Sequence, residues 1–194
     1  MEVVLYHHVQ GLTEGVRSFA DDVRQAGHTV HTPDVFEGQT FGTLEEGMAY
    51  AREAGFDTLA ERGVAAAEGI GSNVVYAGFS FGVMMAQRLA QSRPGARGAL
   101  LIYSCLPVSE FGQAWPESVP VQVHGKEGDE FFLEDIDAAR ALVESSDRAE
   151  LFLYPGAEHL FADSSLPAYD PAAAALLTER VLAFLEKLQA EEED

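Results

Sequence analysis

The chain has 194 residues, enough for one sizeable core, and 47% hydrophobic with 23% charged residues is the composition of an ordinary globular domain. Its 32 acidic and 12 basic residues give a net charge of −20, which argues against nucleic acid or an anionic membrane as partner. No apolar run is long enough for a transmembrane helix, and the one cysteine, Cys105, cannot form an internal disulfide, so a cytoplasmic location is expected.

The N-terminus, MEVVLYHHVQ, lacks a basic leader and reads as a strand at residues 3–7. A helix follows at 13–26, with Val16, Phe19, Ala20 and Val23 on one face and Gly27 closing it. Next come a strand at 28–32 (HTVHT), a helix at 56–67 and a strand at 73–78 (NVVYAG). A helix at 83–90 leads to a strand at 99–104 (ALLIYS) and another at 119–124 (VPVQVH). A helix at 133–143, a strand at 150–154 (ELFLY) and a helix at 172–188 complete the order. Pro171 suits the first turn of that last helix, and Asp170 its N-cap. Several strands are apolar at consecutive positions, as strands buried on both faces are. The alternation predicts an α/β domain over residues 1–190, a mostly parallel sheet with helices on both faces, followed by an acidic tail at 191–194. Sites on such sheets lie beyond the carboxyl ends of the strands.

Gly78-Phe79-Ser80-Phe81-Gly82 sits at such an end. Gly-x-Ser-x-Gly between strand and helix is the nucleophile-elbow pattern. The bend strains the serine, small residues let strand and helix nearly touch, and the hydroxyl projects above the sheet. A serine hydroxyl needs a base. Where such an elbow is used, the acid and then the histidine follow the serine in the chain. Of six histidines only His124 and His159 lie after Ser80, and His159 follows the last expected strand and a Pro-Gly turn. It is the expected base. The acid is expected in VQVHGKEGDEFF, with Asp129 the choice and Glu127 the alternative. Its task is to hold the imidazole tautomer and stabilise the imidazolium. Backbone N–H groups of Phe81 and Val9 are the expected oxyanion donors. Substrate contacts are expected from Phe36, Phe79, Phe161 and His8, with Phe81 and Trp115 as further pocket candidates. Met84, Met85 and Cys105 read as packing residues. No metal-ligand spacing and no cofactor motif is present.

Taken with these residues, the chain resembles the dienelactone hydrolase family of compact α/β-hydrolases. The similarity runs through HHVQGLTEGVRSFADDVRQAGHTVHTPDVFEG, AGFSFG, HGKEGD and YPGAEHLFAD, with Pro33-Asp34 and Gly156 to Phe161 the most specific parts. It implies an α/β-hydrolase fold without a large lid and a triad of Ser80, Asp129 and His159. Three positions depart from the family pattern. Ser80 stands where the best-known members carry cysteine. His8 stands where they place a glutamate after the first strand. Asp163 stands where they carry an arginine that grips an anionic lactone. The resemblance therefore implies hydrolysis of a small neutral ester, thioester or lactone through an acyl-enzyme. The alternatives are a true dienelactone hydrolase acting on an anionic lactone and a non-catalytic α/β-hydrolase-fold protein that binds a ligand or partner.

Overall fold

Six strands hydrogen-bond into one sheet in the computed structural model, which describes residues 1–112 and 114–193. They are β1 (Glu2–Tyr6), β2 (Thr29–His31), β3 (Val74–Phe79), β4 (Ala96–Ile102), β5 (Val121–Lys126) and β6 (Ala149–Tyr154). Their order is β2-β1-β3-β4-β5-β6, and every adjacent pair is parallel. Six helices accompany them: α1 (Glu14–Gln25), α2 (Leu44–Ala54), α3 (Phe56–Ala66), α4 (Val83–Ser92), α5 (Glu130–Ser145) and α6 (Pro171–Glu193). This is the expected α/β architecture. Asp194, the end of the expected acidic tail, lies outside the described residues. The rest of that stretch continues α6, and Glu191 pairs with Arg148 at 2.7 Å.

Side-chain alternation splits the core into two layers. Val3 and Leu5 of β1 join Val75, Leu100, α1 and α6 on one face. Val4 and Tyr6 join Tyr76, Leu101, α3, α4 and α5 on the other. Period 2 along each strand produces this split, because successive side chains point to opposite faces. The apolar residues expected on α1 are the ones it buries. Thr13 caps its start through Val16 N–H. Asp170 caps α6, accepting from Ala172 and Ala173 N–H.

Several element bounds differ from expectation, β4 starting three residues early and ending at Ile102 among them, and two further changes border the site. Helix α2 occupies a stretch with no expected element. Thr43 and Glu46 form a capping box there, each side chain bonded to the other's backbone N–H. β5 runs two residues further than expected, so His124 lies within a strand instead of ending one. These shifts matter because α2 and the end of β5 both border the site.

Candidate active site

β3 delivers Ser80 into a tight turn. Ser80 adopts φ of 49°, a left-handed conformation costly for a residue with a Cβ. A single 3-10 turn, Ser80–Gly82, precedes α4, which begins at Val83 as expected. Both flanking glycines are required by space. A Cβ on Gly78 would lie 2.4 Å from the Gly82 backbone, and one on Gly82 would lie 2.5 Å from the Tyr6 carbonyl oxygen. The elbow is thereby pressed against the end of β1.

Three distant side chains converge on this turn. Ser80 Oγ lies 2.9 Å from His159 Nε2, and His159 Nδ1 lies 2.6 Å from Asp129 Oδ2. A carboxylate only accepts, so Nδ1 carries the proton and Nε2 faces the serine as an acceptor. Asp129 is buried, and its other oxygen accepts from Phe131 N–H as the N-cap of α5. The helix start therefore fixes the carboxylate that meets the imidazole. Glu127, the alternative acid, points to solvent.

The loop bearing His159 is held from several sides. Tyr103 follows β4 with φ of 71°, and its hydroxyl accepts from Ala162 N–H at 2.8 Å. Leu160, next to the imidazole, has φ of 60°. Buried Lys126, the last residue of β5, pairs with Glu158 at 2.7 Å and Asp170 at 2.6 Å. These carboxylates are held below their ordinary pKa, chiefly by the Lys126 hydrogen bond. Left-handed backbone at Ser80, Tyr103 and Leu160 concentrates strain at one edge of the sheet, where a site can use it.

The loop after β1 lies beside the elbow. His7 and His8 are both buried. His8 Nε2 donates to Asp163 Oδ2 at 2.8 Å, and its Nδ1 accepts from Gln10 N–H. Thr13 Oγ1 also donates to Asp163, as does Ser165. These bonds outweigh desolvation and hold the Asp163 pKa down at about 2.

A cleft of about 580 Å³ opens over Ser80 and His159. Phe81 and Val9, the expected oxyanion donors, both border it. Its apolar wall comes from Leu44, Met48, Phe56, Met84, Leu106 and Phe131. Phe131 is 51% exposed and its ring centre lies 4.8 Å from that of His159. Four charged side chains complete the lining: Arg52 against Glu45, Glu134 and Asp135. Asp135 is oriented by the Ser104 hydroxyl at 2.6 Å.

The four expected substrate contacts lie elsewhere. His8 is turned onto Asp163 behind the loop. Phe36 is buried in the core under α2, while Phe79 and Phe161 are buried on the opposite face of the sheet. Trp115 is also buried, donating to the Val119 carbonyl. Large aromatic residues near a strand end fill the core first. Met84, expected to be packing, instead faces the cleft, while Met85 is buried. Asp163 does not face the cleft either. Cys105 is buried and its thiol is pushed up to about 12 by desolvation, so it supplies no thiolate near neutral pH. Among the described residues no group of three or more His, Cys, Asp or Glu could hold a metal ion, and no helix is long and apolar enough to cross a membrane.

Solved structures with the same fold cover almost the whole chain. A dienelactone hydrolase-like promiscuous phosphotriesterase, P91, from metagenomic libraries aligns at 19% identity with a TM-score of 0.71, over 96% of this chain and 86% of its own. Esterase 2 of Thermogutta terrifontis, phosphonylated by cyclosarin, aligns at 14% identity with a TM-score of 0.70, over 96% and 82%. The dienelactone hydrolase of Anabaena variabilis ATCC 29413 aligns at 18% identity with a TM-score of 0.65, over 96% and 85%. At these identities the likeness is one of fold. No curated protein matches the sequence closely enough to count as a relative. The sequence does match the profile of one family over residues 1–189, and with an α/β-hydrolase sheet and a serine elbow in place, the chain belongs to the dienelactone hydrolase family.

Proposed function

We propose that this protein hydrolyses carboxylic esters, thioesters or lactones through an acyl-enzyme on Ser80. The observation that carries the reading is the unbroken hydrogen-bonded path from Ser80 Oγ through His159 to Asp129. In this mechanism His159 Nε2 takes the Ser80 proton as the hydroxyl attacks the carbonyl. Phe81 and Val9 N–H groups receive the developing oxyanion, a contribution of about 3–4 kcal/mol per donor to the barrier. His159 then protonates the leaving group and later activates water. Asp129 keeps the imidazole oriented and stabilises its charged form.

The substrate class follows from the cleft. Its wall is apolar, and three carboxylates face one guanidinium. Asp163 occupies the position that the family resemblance gives to a carboxylate-gripping arginine, and here it is spent on His8 and Thr13. A small neutral acyl group fits this environment best. One observation favours the rival substrate, an anionic lactone: Arg52 borders the cleft.

A fluorophosphonate probe tests the reading, since a fold neighbour is an esterase phosphonylated by cyclosarin. Ser80 is expected to label, and Ser80→Ala and His159→Ala to abolish both labelling and turnover of short-chain esters. A folded wild type that neither labels nor turns over esters, thioesters or lactones would instead indicate a binding protein. Faster turnover of an anionic lactone than of its neutral ester would move the substrate to the rival class.

A further inference from the structure

His7 is buried, borders no part of the cleft, and yet makes two directed bonds, one to the oxyanion loop and one to the segment after β2. Its Nδ1 lies 2.8 Å from the His8 carbonyl oxygen, and its Nε2 lies 3.2 Å from Val35 N. A carbonyl only accepts and an amide N–H only donates. The ring must therefore carry its proton on Nδ1 and leave Nε2 bare. Burial supports this neutral form, lowering the His7 pKa to about 4.

The His8 carbonyl belongs to the same peptide plane as the Val9 N–H. In a planar trans peptide these two groups point in opposite directions. Two donors hold the carbonyl: His7 Nδ1 and, at 3.0 Å, Gly11 N. Neither His7 nor Gly11 lines the cleft, whereas Val9 does. The next carbonyl, that of Val9, is packed on α2, where a Cβ on Gly47 would lie 2.1 Å from its oxygen. Rotation of the loop is thus resisted at both peptide groups.

We propose that His7 is a positioning residue of the oxyanion hole: by donating its Nδ1 proton to the His8 carbonyl, it turns the Val9 N–H toward the carbonyl oxygen of the bound substrate. This inference rests on the hydrolase reading given above. It adds a role for a side chain that never touches substrate. Without His7, Gly11 alone leaves one bond on the His8 carbonyl, and the amide is held less firmly in its direction.

Three variants test it. Asn at position 7 places its amide nitrogen about where Nδ1 lies, Gln places it about where Nε2 lies, and Leu keeps bulk without a donor. Complete loss of an oxyanion donor lowers kcat by about 10²–10³-fold, so a donor left in place but misdirected should cost about 10- to 100-fold. His7→Gln and His7→Leu are expected to show that loss in kcat with KM within about 3-fold of wild type, and an equal slowing of Ser80 phosphonylation. His7→Asn is expected to recover most of both rates. Thermal unfolding of each variant accompanies the kinetics, and the Asn and Gln pair decides the matter if the Leu variant does not fold. Equal rates in the Asn and Gln variants overturn the inference while leaving the hydrolase reading intact. A wild type inert to esters and to the probe overturns the hydrolase reading and the inference with it.

Discussion

Lowering the pH from 7.5 to 5 perturbs two imidazoles that the fold keeps uncharged. His124 is fully buried between Tyr154 Oη at 2.9 Å and Gln122 Oε1 at 3.3 Å, and burial lowers its pKa from 6.5 to about 3. Burial lowers that of His7 from 6.5 to about 4. Both histidines bind a proton in the unfolded chain below pH 6.5 and refuse it in the folded one. Their stabilisation is therefore complete above 6.5 and is lost as the pH falls toward the folded values. Each pH unit in that window costs about 1.4 kcal/mol per histidine, so the step from 6.5 to 5 costs about 4 kcal/mol for the pair. That is a large share of a typical total stability of about 5–15 kcal/mol. A competing effect has the opposite sign: protonating carboxylates relieves the self-repulsion of a −20 chain. Carboxylates titrate near pH 4, so this relief is small above pH 5 and the histidines win there. Urea unfolding at pH 7.5, 6 and 5 reads the slope directly. His124→Gln keeps a polar group between Tyr154 and Gln122 but cannot titrate, and is expected to lose one histidine's share of the slope, about 1.4 kcal/mol per pH unit, whatever its absolute stability; His28, also lowered by burial, adds to the slope that remains. A wild-type stability that stays flat across this range, or a His124→Gln slope equal to wild type, would refute the reasoning.

Asp129→Asn keeps the cap on α5 but mismatches the Nδ1 proton of His159; kcat is expected to fall about 10³- to 10⁴-fold with little change in Tm. Glu127→Gln, on an exposed side chain, is expected to leave kcat unchanged. Gly78→Ala drives a methyl to 2.4 Å from the Gly82 backbone and should destabilise by more than about 3 kcal/mol, whereas Gly69→Ala meets nothing within 4 Å and should stay within about 0.5 kcal/mol in the same denaturant titration. Phe131→Ala removes an exposed ring beside His159; KM for an apolar ester should rise about 3- to 10-fold, with a stability change below about 1 kcal/mol.

The sheet and the Ser80, His159 and Asp129 positions were legible because each leaves a local mark in the chain. Strands carry apolar runs, the elbow carries two glycines its geometry demands, and the base and acid follow strand ends in a fixed order. The cleft wall leaves no such mark. Phe36, Phe79 and Phe161 look the same in sequence as Phe56, Phe81 and Phe131, and only the packing assigns the first three to the core. Helix α2 did carry a signal: a Thr-x-x-Glu box and apolar Leu44, Met48 and Ala51 at helical spacing. Gly47 in its middle masked that pattern, since glycine is a poor helix former. The same glycine is what lets α2 lie against the Val9 carbonyl, so the residue that hides the helix also seats it beside the site.

His8 and Asp163 show a different limit. Sequence alone presents them as two separate departures from the family pattern, 155 residues apart. In space they form one contact, with His8 Nε2 donating to the Asp163 carboxylate at 2.8 Å. Where the family resemblance places a glutamate and an arginine, this chain has a base and an acid with their places exchanged. The contact joins the loop after β1 to the loop bearing His159. The exchange also turns the second position from a cation that can meet a substrate carboxylate into a buried anion satisfied by His8, Thr13 and Ser165. Reversing only one member would bury two like groups against each other, and the loop carrying Val9 would lose one of its contacts. An arginine placed at 163 would therefore need an acid at 8 to keep this contact, whereas Asp163→Arg alone would set two cationic side chains against each other in a buried site.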